Sequence, residues 1–214
     1  MQKNNYKLSC WYNRWIKFVF DMVFTLIGTI LIAPFLLILC LIVCVDNHGH
    51  VIFKHKRVGK DGREFYCYKF QTMVGDAEVL LQEYLANNPE AKREWEENYK
   101  LLDDPRVTKL GSFLRRTSMD ELPQIFNVLK GEMSLVGPRP IVKGEVRKYG
   151  RYIEYYYMVR PGITGVWQTS GRSDTTYRER VGMDTWYVQN WSMWLDLKYL
   201  SKTCYTVLRK EGAY

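Results

Sequence analysis

Histidine and cysteine are scarce in this chain, and neither is arranged to hold a metal ion. Only three residues are histidines, His48, His50 and His55, and no second ligand cluster accompanies them. The five cysteines, Cys10, Cys40, Cys44, Cys67 and Cys204, are odd in number and include no Cys-x-x-Cys pair. A disulfide scaffold and a structural zinc site are therefore both disfavoured, and a reducing compartment fits better. The chain also lacks an internal repeat, a low-complexity linker and a clear second soluble domain. It does not lack apolar residues, at 47%, or charged ones, at 25%, and that balance excludes a disordered or fibrous chain. The 31 Lys and Arg against 23 Asp and Glu leave a formal charge of +8. Such an excess favours a polyanionic partner: nucleic acid, anionic lipid or a phosphorylated substrate.

What the chain has in abundance is one long apolar run. Met22 to Val45 carries no formal charge over 24 residues. As a helix it would reach about 36 Å, enough to cross a hydrocarbon core of about 30 Å. Two features oppose a simple spanning helix. Pro34 sits mid-run, where it removes a backbone hydrogen bond and crowds the preceding turn. Both flanks are positive as well: Lys3, Lys7, Arg14 and Lys17 before the run, Lys54, Lys56, Arg57, Lys60 and Arg63 after it. Positive flanks mark the cytoplasmic side, so a helix that enters, breaks at Pro34 and returns stands beside the spanning form as an equal reading. A cleaved signal peptide is disfavoured, because the run is too long and no small-x-small site follows it.

The remainder reads as a helix-rich α+β body. Val51 to Phe70 has the pattern of a hairpin around Gly59-Lys60-Asp61-Gly62. Asp76 to Leu102 is helical in period and interrupted at Asn87-Asn88-Pro89. Short helices are expected over Thr108–Arg116 and Met119–Leu129, and longer ones over Val142–Val159 and Trp191–Arg209. The expected division is a membrane hairpin and flank over 1–47 and a single compact cytoplasmic domain over 48–214. Tyr149, Tyr152, Tyr155, Tyr156, Tyr157, Trp186, Tyr187, Trp191, Trp194 and Tyr199 are interleaved with Lys148, Arg151, Lys198, Lys202 and Arg209. Amphipathic rings and long cations suit the headgroup layer, which predicts membrane-surface amphipathic helices; ordinary core aromatics are the other reading.

Three constellations could carry chemistry. The densest is Arg115-Arg116-Thr117-Ser118-Met119-Asp120-Glu121. Adjacent carboxylates are hard oxygen ligands suited to Mg²⁺, arginines orient phosphate through paired donors, and a carboxylate can attack phosphorus itself. The same letters also spell a helix cap, Ser118-x-x-Glu121, in which the acids merely favour a first turn. The second is Gly137-Pro138-Arg139-Pro140, a rigid turn that would present Arg139 with little freedom. The third is Arg160-Pro161-Gly162-Ile163-Thr164-Gly165 followed by Trp167-Gln168, either the wall of a nucleotide pocket or a plain loop.

Taken in order, these segments resemble the bacterial sugar transferase family, the monotopic phosphoglycosyl transferases. The resemblance rests on KFQTM at 69–73, on DPRVTKLGSFLRRTSMDELPQIFNVLKGEMSLVGPRP at 104–140, on RPGITGVWQ at 160–168 and on Gly171-Arg172. It runs from Trp15 to the C-terminus and is to the catalytic region of polyprenyl-phosphate galactose- or glucose-phosphate transferases. It implies transfer of a sugar-1-phosphate from a UDP-sugar to undecaprenyl phosphate, at the cytoplasmic face of the bacterial inner membrane. It implies Asp120 as nucleophile, Glu121 with Asp120 as the Mg²⁺ site, and Arg115, Arg139 and Lys69 as phosphate-handling residues, with Arg160 and Thr164 in a matching substrate motif. Nucleic acid is then not a partner. Which sugar is carried, and whether the chain forms a homo-oligomer, stay open. The family often has Ser before the break proline, where this chain has Ala33. Two other readings stand beside it: a non-catalytic basic membrane module, and a nucleotide-sugar phosphohydrolase that uses water in place of the lipid phosphate.

Overall fold

A computed structural model describes residues 7–98, 101–170 and 175–209. Gly171-Arg172 and the last five residues lie outside the described residues. The chain begins with α1 (Trp11–Asp46), followed by a hairpin of β1 (Ile52–Val58) and β2 (Glu64–Phe70). Helices α2 (Ala77–Asn87), α3 (Pro89–Asn98), α4 (Lys109–Arg116) and α5 (Gln124–Leu129) come next. Then β3 (Ser134–Val136), α6 (Val146–Tyr149), α7 (Ile153–Tyr157) and β4 (Gly162–Thr164) lead to α8 (Tyr177–Asn190) and α9 (Met193–Arg209). The body is thus helix-rich, with two small two-stranded sheets among the described residues.

In the hairpin, Ile52 pairs with Phe70 and Val58 with Glu64. Asp61 and Gly62 take positive φ, 57° and 73°, as an Asp-Gly turn requires. The break expected near Asn88 is where α2 gives way to α3. The single helix expected over 142–159 is instead several short pieces. Gly150, at φ 51° and ψ −132°, turns the chain between α6 and α7. Such an angle is open only to a residue without Cβ.

Helix α1 is longer than the apolar run, and helical backbone continues through Pro34. The proline removes the N–H that would have reached Ile30, a point where a helix can bend while the residues on either side stay helical. What sets α1 apart is the inversion of its faces. Lys17, Asp21 and Thr25 are buried, while Leu26, Ile27, Ile30, Leu31 and Phe35 are exposed. Its most apolar 18-residue window has a mean hydropathy of 3.0, and little of it is covered by protein. By length and composition it can cross a membrane.

Both halves of α1 dock on the same body. Near its start, the Lys17 ammonium donates to Asp196 Oδ2 at 2.6 Å and lies 3.8 Å from Asp21. Ser134 Oγ donates to Asp21 at 2.8 Å, and Tyr187 and Trp191 donate to Asp196 at 2.6 and 3.0 Å. Buried charges survive when each is paired and the leftover lone pairs are hydrogen-bonded, as here. Near its end, Leu36, Leu39 and Val43 pack with Phe70 and Leu114. Thr108 Oγ1 donates to Asp46 at 2.7 Å, and Asn47 Nδ2 to the Gln71 carbonyl at 3.3 Å.

The aromatics of the C-terminal half divide. Tyr149, Tyr156, Tyr187, Trp191 and Tyr199 are core residues, not a membrane-facing stripe. The hydroxyls of Tyr149 and Tyr156 show how such rings are accommodated. Tyr156 donates to the Val58 carbonyl at 2.7 Å and accepts from Ile141 N–H, while Tyr149 donates to Asp184 at 2.7 Å. These rings stitch elements together through paired polar tips. Trp186, Trp194, Tyr152 and Tyr205 remain exposed.

Close backbone approach fixes α4. A Cβ placed on Gly111 would lie 2.1 Å from the Thr72 carbonyl oxygen, so only glycine lets α4 sit against the strand exit. Gly144 has nothing within 4 Å of such a Cβ and a negative φ. Gly111→Ala is expected to lower stability by about 2 kcal/mol through overpacking. Gly144→Ala is expected to be near neutral. Thermal unfolding of the two variants in the same detergent checks the difference.

Candidate active site

The site starts at the end of α4. Thr108 caps that helix, its Oγ1 accepting from Gly111 N–H at 2.8 Å, and the helix stops after Arg116. Ser118 then turns the chain with φ 56° and ψ 17°, and its side chain makes no capping bond. The sequence pattern Ser118-x-x-Glu121 is therefore not a capping box in the folded chain. The left-handed residue opens a single tight turn, Met119–Glu121, that carries both acids. Proline at 123 and helix α5 follow at once.

Lys69, next to last in β2, meets this turn. Its ammonium donates to Glu121 Oε1 at 2.7 Å and lies 3.4 Å from Asp120 Oδ2. The geometry depends on Asn127 of α5, which is fully buried. Asn127 Oδ1 accepts from Tyr68 N–H at 3.0 Å, and its Nδ2 donates to the Tyr66 carbonyl at 2.7 Å and to Glu132 at 2.6 Å. One side chain thus completes the free edge of β2 and locks it to α5. Arg115 reaches in from α4, its Nε donating to Thr72 Oγ1 at 3.0 Å.

The second and third constellations come together by parallel pairing of β3 and β4, Ser134 with Gly162 and Val136 with Thr164. The glycines there serve this contact. A Cβ on Gly162 would lie 2.1 Å from Gly137 N, and one on Gly165 2.2 Å from the Gly137 carbonyl oxygen. Arg139 emerges from the turn with its guanidinium 5.1 Å from the Trp167 ring. On the other side, β1 is fastened to the same turn. Val58 N–H donates to the Ile141 carbonyl at 2.8 Å, and Arg57 Nη1 donates to the Pro140 carbonyl at 3.3 Å.

The result is a notch of about 30 Å³ lined by Arg57, Cys67, Lys69, Glu121, Gln124, Arg139, Pro140, Ile163 and Gln168. It holds the space of one water molecule and forms the floor of a site, not the seat of a large substrate. A larger cavity of about 470 Å³ lies elsewhere, beside the end of α1 between Asp46–His48 and Val74–Glu83. The floor is preferred as the chemical site because cations and acids converge there.

Of the residues singled out in the sequence, Glu121, Lys69 and Arg139 line this floor, Asp120 adjoins it 3.4 Å from the Lys69 ammonium, and Arg115 is near enough to Asp120 to favour its charge. Two are placed otherwise. Arg160 sets its guanidinium 4.4 Å from the Phe18 ring of α1, and the Thr164 hydroxyl pairs with that of Thr203 at 2.6 Å. Arg57 and Asn127 were not legible. Cys67 could have been, since it lies two residues before Lys69 and so on the same face of β2.

The charges shift one another. Burial pushes the Asp120 carboxyl above the usual aspartate value; Lys69 opposes this and Glu121 adds to it. Burial works against the Lys69 charge, but Glu121 and Asp120 outweigh it and hold the ammonium above its ordinary pKa. The Cys67 thiol is pushed up to about 11 by burial, so it stays protonated and is no rival nucleophile.

The sequence model of the bacterial sugar transferase family matches residues 12–210. The chain belongs to that family. It is 50% identical over 94% of its length to the undecaprenyl-phosphate galactose phosphotransferase of Salmonella typhimurium strain LT2, covering 42% of that protein. It is 49% identical, again over 94% of the chain and 42% of the relative, to the UDP-galactose-lipid carrier transferase of Erwinia amylovora. The exopolysaccharide production protein ExoY of Sinorhizobium fredii is 45% identical over 91% of the chain and 86% of its own length. The chain therefore spans less than half of the first two relatives and most of the third. All the residues at the floor fall within the family match.

Because the neighbouring cation lowers the Asp120 pKa, Lys69→Met is expected to raise it further. Carbon-13 NMR of aspartate-labelled, metal-free protein, assigned with Asp120→Asn, checks both the raised value and its rise in the variant.

Proposed function

We propose that this chain transfers a sugar-1-phosphate from a UDP-sugar to undecaprenyl phosphate, releasing UMP, at the cytoplasmic face of the bacterial inner membrane. One observation carries the reading: Asp120 and Glu121 sit on a tight turn without a capping role and converge on one cation beside an arginine-lined notch. The relatives' names supply the substrate class, and their galactose donors are the first to test.

In the proposed first step an Asp120 carboxylate oxygen attacks the phosphorus that bears the sugar. The bond from that phosphorus to the bridging oxygen breaks, and UMP leaves with the bridging oxygen. In the second step an oxygen of the lipid phosphate attacks the same phosphorus. The phosphorus–Asp120 bond breaks, the carboxylate is restored, and the lipid-diphosphate sugar departs. Every partner in both steps is an anion, so positive charge must screen the approach. Lys69, Arg57 and Arg139 line the floor and supply it, while Arg115 stands beside the nucleophile. Partial desolvation raises the basicity of Asp120, which favours nucleophilic attack once the group is ionised.

The donor set fits a magnesium ion. Two carboxylates already lie within 3.4 Å of a single cationic atom, and Mg²⁺ is commonly held by one or two carboxylates with substrate phosphates and water. Among the described residues no group of three or more His, Cys, Asp or Glu converges, so substrate phosphates and water would have to supply the remaining ligands. Asp120 and Glu121 would hold it. When bound, it supplies charge neutralisation at the diphosphate.

We also propose that α1 enters and leaves the bilayer on one side. The support is that its two halves pack on one body while its middle does not, and that both flanks are basic.

Asp120→Asn is expected to abolish UMP release from UDP-galactose and UDP-glucose and to leave no labelled sugar phosphate trapped on the protein. Full turnover by that variant would remove Asp120 as nucleophile. Tags at residues 2 and 214 are both expected to be reachable from the cytoplasm in spheroplast labelling, and a periplasmic tag at residue 2 would restore the spanning helix.

A further inference from the structure

The Lys69 ammonium stands where the two acids converge, 2.7 Å from Glu121 and 3.4 Å from Asp120. A divalent cation held by the same carboxylates would meet it charge against charge. Lys69 engages one oxygen of each acid, Asp120 Oδ2 and Glu121 Oε1, so a divalent cation on the same pair must bear its repulsion or displace it. We propose that Lys69 is the internal counter-ion of the site: it competes with the divalent cation for Asp120 and Glu121, and the donor's diphosphate draws it away. This rests on the phosphotransfer reading above and deepens it.

The argument turns on where the ammonium can go. Backbone pairing of Lys69 with Phe53 fixes its Cα, so only the side chain can swing. The side chain keeps 27% of its surface exposed, and water alone cannot fully solvate a displaced charge there. The other charges on the notch wall are Arg57, Arg139 and Glu121 itself. Two of these three repel it. Loading the metal without an anion therefore strands a third cation among two arginines. A diphosphate on the same floor accepts the released ammonium and removes that cost. Metal and nucleotide then bind cooperatively, with Lys69 carrying the coupling. In the absence of both ligands, the ammonium keeps two neighbouring carboxylates from repelling each other.

The test is calorimetric titration of Mg²⁺ into the full chain in nanodiscs, with and without saturating UDP. Complexation of Mg²⁺ by UDP in solution also produces apparent cooperativity, so the decisive comparison is between wild type and Lys69→Met. Without UDP, the variant is expected to bind Mg²⁺ roughly tenfold tighter, within the usual range of coupling between sites. Its gain in Mg²⁺ affinity on adding UDP is expected to shrink relative to wild type. Lys69→Gln, with thermal unfolding as the folding check, is expected to repeat both changes. Glu121→Gln is expected to abolish the binding in either background. Unchanged or weaker Mg²⁺ binding in both Lys69 variants, with binding still dependent on Glu121, would overturn the counter-ion role alone. Mg²⁺ binding indifferent to Glu121→Gln would overturn the metal reading of the carboxylates, and the competition with it.

Discussion

Two carboxylates placed side by side and largely withdrawn from water repel each other unless positive charge is brought between them. The arrangement around Asp120 and Glu121 follows from that requirement. Lys69 arrives from a strand, Arg115 from a helix, and Arg57 and Arg139 line the wall from two further segments. None of these cations could reach the acids without the hairpin, α4, α5 and the β3–β4 pair in their observed places. The fold can be read as scaffolding that holds four separate stretches of chain around one turn.

That scaffolding relies on a few contacts with little tolerance. Asn127 completes the open edge of β2 and fixes the lysine against the acids. Gly111 lets α4 touch Thr72, and Gly137, Gly162 and Gly165 let two backbone segments approach until no side chain fits between them. Tyr156 joins β1 to the segment that follows β3. The polar tips of buried aromatic rings act as fasteners here, which is why so many tyrosines in this chain are core residues.

The long apolar helix has the face pattern suited to a different solvent. In water a helix hides leucine and shows lysine; α1 buries Lys17 and Asp21 against the body and shows Leu26, Ile27, Ile30 and Leu31. The same hydrophobic logic would apply with lipid on one side and a polar, hydrogen-bonded network on the other. Under the proposed function, a floor tied to such a helix would be held where a lipid phosphate and a soluble nucleotide can both arrive.

The local patterns were legible without a structure. The uncharged run, the Asp-Gly hairpin, the helix break near Asn88 and the vicinal acids all depend on neighbours in sequence, and local propensity decides them. The resemblance added roles to Asp120, Glu121, Lys69, Arg115 and Arg139, and the folded chain gathers those five. The letters around Ser118 could not decide between a cap and a presented acid pair, because both use the same residue types; only the left-handed backbone at Ser118 separates them. Arg160 and Thr164 sit in a motif rich in glycine that suggests a pocket, yet their partners, Phe18 and Thr203, are distant in sequence. Arg57 and Asn127 were invisible for the same reason. Their importance lies in a strand register and a helix–strand contact that bring remote residues together. Sequence therefore determined the chemistry available to this protein, and tertiary structure decided which of those groups share a site, since charge and hydrogen bonding act over a few ångströms of space and not along the chain.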